Sequence, residues 1–126
     1  LVMDARDLKF LDESFPTVTS FFTLMYVPQA DHEKVFREIF RVLLPGGRFL
    51  VWDVNIAERI DPARDIAVFP FRFQLPRGDV RTAYGMRWPA KPQGLPYYVA
   101  LARLTGFQVA TEQLNGRTFY LELRKP

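Results

Sequence analysis

The 126 residues contain no cysteine, which excludes disulfides and thiolate metal sites. Histidine occurs once, at His32, so there is no histidine cluster to hold a metal, and no metal is expected. Glycine is absent before Gly46, and with it any glycine-rich loop of the kind that cradles a phosphate or cofactor ahead of a helix. No apolar run is long and uncharged enough to span a bilayer, and no signal peptide is visible. Charge is only mildly one-sided, at +3 with a pI of 9.4. The dense lysine-arginine stripe of a nucleic-acid binder is missing. Neither a membrane nor a nucleic acid is therefore an expected partner. The lack of cysteine fits a reducing compartment, and the expected location is cytoplasmic.

What is present suffices for one domain with a real core: 48% of the residues are hydrophobic and 15% aromatic. Leu1 to Met3 reads as the end of a strand that runs into Asp4. The chain opens on this apolar run with no polar lead-in, which reads as a piece of a longer protein. Val18 to Val27, "VTSFFTLMYV", is nearly all apolar and rich in β-branched and aromatic side chains, the pattern of a strand buried on both faces of a parallel sheet. Asp31 suits a helix N-cap. Val35, Phe36, Ile39, Phe40 and Leu43 then recur at helical spacing, with Glu33–Arg37 and Lys34–Glu38 as candidate ion pairs four apart. Pro45-Gly46-Gly47 stops the helix, and Phe49 to Val54 forms the next buried strand. A strand, a helix and a strand on short links make a parallel crossover.

The period then changes. Phe69, Phe71, Phe73 and Leu75 alternate with other residues. After Pro76-Arg77-Gly78-Asp79 so do Val80, Thr82, Tyr84, Met86 and Trp88. This predicts a β-hairpin over Ile66 to Trp88. Its Arg77-Gly78-Asp79 tripeptide matches an adhesion motif but is read here as turn chemistry. Pro96 opens a helix that Gly106 ends. Phe107 to Leu114 and Thr118 to Leu123 are strands joined at Asn115-Gly116, a strong hairpin signal.

Three blocks, in this order, resemble the class I S-adenosylmethionine-dependent methyltransferases: "DARDLKFLDESFPTV" from Asp4, "FREIFRVLLPGGRFLVWDV" from Phe36, and "LARLTGFQV" from Leu101. Together they span nearly the whole chain. The resemblance implies an α/β, Rossmann-like half-domain with a partly parallel sheet, a terminal antiparallel hairpin and an inserted β-hairpin. It places these residues in the C-terminal portion of a methyltransferase domain, after the glycine-rich turn. These residues alone are then expected to be inactive.

The resemblance also implies the site. Asp4 and Ala5 match the positions that receive the adenine of S-adenosylmethionine. The alternative for Asp4 is a strand-end residue capping the loop, the adenine role being favoured. Phe21, Phe22 and Thr23 match the end of the fourth family strand, which lines the cofactor, while both phenylalanines also fit plain core. Met25 and Tyr26 stand where many relatives carry a histidine pair. That departure removes a possible general base, puts a hydroxyl acceptor in doubt and leaves carbon, nitrogen or sulfur acceptors. Asp53 either faces the substrate or caps the following loop. Arg72, Arg77, Arg81 and Arg87 on the inserted hairpin either meet an acidic partner or form a solvated face, the second being favoured.

No catalytic acid is assigned, because methyl transfer from a sulfonium needs chiefly alignment of the reactants. The expected function is methyl transfer to a small-molecule acceptor. The alternative is a non-enzymatic, methyltransferase-like dimerisation or regulatory module. A piece of a nucleotide-dependent oxidoreductase fits the Pro-Gly-Gly turn and the terminal hairpin poorly. A homo-oligomer is expected, because Val18 to Val27 would lie at a sheet edge.

Overall fold

A computed structural model describes residues 1–59 and 61–126. In chain order the elements are β1 (Phe15–Phe21), α1 (His32–Val42), β2 (Leu43–Val54), β3 (Ile66–Leu75), β4 (Gly78–Arg87), α2 (Leu95–Leu104), β5 (Gln108–Asn115) and β6 (Thr118–Arg124). Two short 3-10 turns, Leu24–Tyr26 and Gln29–Asp31, lie between β1 and α1.

The main sheet has the order β1-β2-β6-β5. β1 runs parallel to β2, as the crossover through α1 requires, and the remaining pairs are antiparallel. The inserted hairpin β3-β4 forms a separate two-stranded sheet, with Ile66 opposite Arg87 and Leu75 opposite Gly78. The alternating phenylalanines thus mark the hairpin in its predicted place.

α1 buries Val35, Phe36 and Ile39 of its predicted stripe, together with Val42, while Phe40 is half-buried and Leu43 is buried at the start of β2. The Arg37 guanidinium meets Glu33 at 2.7 Å. The predicted Lys34–Glu38 pair is replaced: Glu38 accepts from Arg41 at 2.9 Å and from the Leu8 backbone N–H at 2.8 Å. Asp31 occupies the N-cap position but makes no side-chain cap. Its carboxylate is taken instead by Arg6, 3.1 Å away.

α1 and α2 pack on one face of the sheet, over Phe49 and Val51 of β2 and Phe119, Leu121 and Leu123 of β6. The other face carries Trp52 and Tyr120 in register, 4.9 Å apart between ring centroids, and only half-buried. Pro45-Gly46-Gly47 lies inside β2 rather than ahead of it, since the strand starts directly after α1. Pairing jumps there from Phe15–Leu43 to Thr17–Arg48. A Cβ on Gly47 would meet the Leu44 carbonyl oxygen at 2.7 Å and the Pro16 carbonyl oxygen at 3.2 Å. Only glycine allows the two strands to close at that point.

Two expectations for the first strands fail. Leu1 to Met3 forms no strand pairing among the described residues, and Leu1 and Val2 are fully exposed. β1 ends at Phe21, six residues before Val27, and only Ser20 within it is buried. An apolar run reports burial of some kind but not the backbone that achieves it. Here Leu24 and Met25 are buried from a 3-10 turn rather than from a strand.

Candidate functional site

The strand stops where Phe22 takes a left-handed backbone, φ 47°. For a bulky residue this is strained, and two sets of contacts hold it. Its N–H still donates to the Trp52 carbonyl at 2.8 Å. Its ring stacks on Tyr84 at 5.1 Å and meets Phe71 at 5.2 Å, so the hairpin closes over it. Phe22 is therefore the seat of the inserted hairpin. Phe21 lies on the other side, 55% exposed, against Trp52 and Phe73. Thr23 is exposed, and its hydroxyl donates back to the Phe21 carbonyl.

Asp53 decides where the chain goes next. It is wholly buried, and its carboxylate accepts from the Met25 N–H at 3.3 Å and the Val54 N–H at 2.7 Å. It caps the turn before it in space, not the loop that follows it in sequence, and it does not open onto solvent. Burial pushes its carboxyl up to about 6, against the pull of the backbone N–H groups. Below it, His32 is also fully buried. Its Nε2 lies 2.9 Å from the Leu24 carbonyl oxygen, which can only accept, so Nε2 carries the proton and Nδ1 accepts from the Tyr97 hydroxyl at 2.8 Å. Burial lowers the His32 pKa. The Tyr98 hydroxyl accepts from Gln93 at 3.0 Å, and burial, followed by the nearby Asp53 charge, raises its pKa. These polar groups behind the turn at residues 24–26 could not have been placed by sequence spacing, since they come from α1, β2, α2 and the segment before α2.

In front of that turn lie two cavities that share Tyr26, Val27 and Pro28. The first, about 370 Å³, is walled by Asp4, Ala5, Arg6 and Val35. The second, about 480 Å³, lies between Met25, Met86, Pro89 and Gln93, beside the base of the hairpin. Tyr26, half-exposed, stands between the two. Asp4 is held charged, at about 2, by hydrogen bonds from the Arg6 side chain and backbone. Arg6 in turn ties Asp4 to Asp31. Of the sequence candidates, the structure brings Asp4, Ala5, Met25 and Tyr26 onto these cavities. Phe22 and Asp53 lie behind them as supports, and Phe21 and Thr23 line neither. Met86, Pro89 and Gln93 were missed; the only signal for them was the position of the inserted hairpin.

A mixed sheet with helices on one face and clefts beyond the carboxyl end of β1 defines an α/β protein of Rossmann-like build, a fold class in which ligands commonly bind at the strand ends. Comparison with known proteins adds a likeness of sequence. Residues 1–51 match the methyltransferase-domain family model. The sterol 4-C-methyltransferase strm-1 of Caenorhabditis elegans is 41% identical over 51 residues, 40% of this chain and 15% of its own length. The ubiquinone/menaquinone biosynthesis C-methyltransferase UbiE of Nitrobacter hamburgensis is 36% identical over 75 residues, 60% of this chain and 29% of its own. A crystal structure of a SAM-dependent methyltransferase from Methanosarcina mazei superposes with a TM-score of 0.66 at 17% identity, covering 99% of this chain and 66% of that one. The chain is thus similar to S-adenosylmethionine-dependent methyltransferases, and it spans under a third of the two curated relatives' length.

Proposed function

We propose that these residues form the acceptor side, and the adenine edge, of an S-adenosylmethionine-dependent methyltransferase acting on an apolar small molecule. The observation that carries this is the pair of adjoining cavities divided by Tyr26. The residues of the smaller one fit an adenine: Asp4 is a fixed, ionised acceptor for an exocyclic amine, and Val27 and Val35 give apolar walls. When bound, the cofactor supplies an activated methyl on a sulfonium. The chain's own residues then have three tasks. Asp4 and Ala5 position the adenine end. Tyr26 orients whatever lies in the larger cavity. Met25, Met86 and Pro89 exclude water from it, which serves alignment of the reactants.

The named residues of the larger cavity include no carboxylate and no histidine, and His32 is locked behind the wall. This supports an acceptor atom that needs no general base, and a carbon acceptor is the reading we adopt. The names of the two curated relatives, both C-methyltransferases, agree. Because no glycine precedes Gly46, these residues by themselves are expected to hold the cofactor weakly and to be inactive alone.

The test is nuclear magnetic resonance titration of the chain. S-adenosylhomocysteine is expected to move the backbone amides of Asp4, Ala5 and Val27, weakly, and Asp4→Ala to abolish the effect. Menadione, an apolar quinone, is expected to move the Met25 and Met86 methyl resonances. Absence of both responses overturns the assignment of the two cavities.

A further inference from the structure

All of the chain's net charge resides on one hairpin. Between Ile66 and Trp88 lie four arginines, Arg72, Arg77, Arg81 and Arg87, and a single acid, Asp79. They leave +3, the formal net charge of the whole chain, because the 13 cations and 13 anions elsewhere cancel. The fold then sorts the hairpin by the two-residue period of its strands. The phenylalanines, Tyr84 and Met86 turn inward over Phe22. Ile66, Val68 and Arg72 of β3 and Arg81 and Arg87 of β4 turn outward, and all are exposed.

Two features of this outer face ask for a partner. Arg72 and Arg81 stand directly opposite each other in the ladder, where like charges repel. Arg72 has one counter-ion, Asp79, at 3.7 Å, whereas Arg77, Arg81 and Arg87 make no ion pair among the described residues. Ile66 and Val68, on the same face, are 60% and 61% exposed, whereas Leu75 and Val80, opposite Gly78 and Phe73, belong to the other face. Ile66 and Val68 therefore share one exposed face with Arg72, Arg81 and Arg87.

We infer that this face docks on an anionic phospholipid membrane. Headgroup phosphates satisfy facing guanidiniums pairwise, and the aliphatic side chains gain by leaving water at the acyl boundary. A nucleic acid is a poorer match, because the aromatic rings that would stack on bases all face inward. A protein partner is poorer as well, because the outer face offers none of the aromatic anchors that dominate such interfaces. The inference revises the sequence-based expectation of no membrane partner and a merely solvated face. Arg87 also borders the larger cavity, so the inference is carried by Arg72 and Arg81 and does not depend on which ligand that cavity holds.

The test is sedimentation of the chain with vesicles of phosphatidylcholine and phosphatidylglycerol in equal parts, beside vesicles of phosphatidylcholine alone. The chain is expected to pellet with the mixed vesicles, to be released by added salt, and to stay in solution with the neutral ones. Arg81→Gln is expected to weaken partitioning about fivefold, and Arg72, Arg81 and Arg87 all changed to Gln about a hundredfold. Arg→Lys at the same positions retains binding. Val68→Ser weakens it while leaving its salt dependence unchanged. Melting curves check that each variant is folded. Equal binding to both vesicle types, binding to neither, or tighter binding to duplex DNA or polyglutamate than to the mixed vesicles overturns the inference.

Discussion

At the scale of single residues, the buried pair Asp53 and His32 sets an acid response with two opposed parts. The His32 pKa is lowered in the folded chain, so the unfolded chain takes up that proton first. Stability from His32 is complete above its ordinary value of about 6.5 and is lost as pH falls below it. Asp53 acts in the other direction. Its carboxyl, pushed up to about 6, keeps a proton that the unfolded chain has already released, so its contribution rises as pH falls from about 6 to its unfolded value of about 4. Asp53→Asn removes this second part by up to about 3 kcal/mol. Urea unfolding from pH 7 to pH 4 is expected to show a steeper acid loss in the variant than in the parent. Parallel profiles would mean that Asp53 does not titrate in this range.

At the scale of elements, two contacts hold irregular segments to the sheet. The first is Arg41 on α1. Its guanidinium donates to Glu38, to Asp12 at 2.6 Å, to the Phe10 carbonyl at 2.9 Å and to the Leu8 carbonyl at 2.8 Å. One side chain thereby fixes the loop over residues 8–12, which has no strand or helix of its own. The second is Phe22 under the hairpin. Phe22→Ala is expected to cost about 3–5 kcal/mol, because it empties the space between Tyr84, Phe71 and Met25. Trypsin is then expected to cut first at Arg72, Arg77, Arg81 or Arg87. A variant that unfolds at the parent denaturant concentration would show that the hairpin seats elsewhere.

The scale of the whole molecule concerns the edges of the sheet. β1 pairs on one side only, with β2, and no proline follows Pro16 until Pro28. Its exposed Phe21 adjoins the half-buried Trp52 on the face without helices. Natural edges are usually blunted by charge, proline or bulges, and the stretch from Thr17 to Phe21 carries no charge at all. A second copy, paired edge to edge about a twofold axis, satisfies such a strand by self-complementarity. Light scattering at micromolar concentration is expected to report a dimer or larger species, and Thr19→Lys, at the edge, to shift it toward monomer. A parent chain that scatters as a monomer removes this proposal.

Much of the architecture was determined locally and so could be read from the sequence. The phenylalanine alternation of the inserted hairpin, the helical stripe Val35–Phe36–Ile39 and the Asn115-Gly116 turn each follow from side-chain periodicity and backbone preference within about ten residues. The methyltransferase resemblance was legible for the same reason, since its motifs are local turns and strand ends. What only the tertiary structure decided depends on contacts between distant segments. The end of β1 was overextended because the same apolar run can be buried from a strand or from a turn, and Asp53, reached from β2, selects the turn. Asp31 lost its cap to Arg6, a residue 25 positions away. Asp53 itself is wholly buried, with its carboxylate on the Met25 and Val54 N–H groups, an arrangement that no local pattern in the sequence announces. The arginines of the hairpin were visible as charges, but their shared outer face exists only once the phenylalanines opposite them have been drawn down onto Phe22.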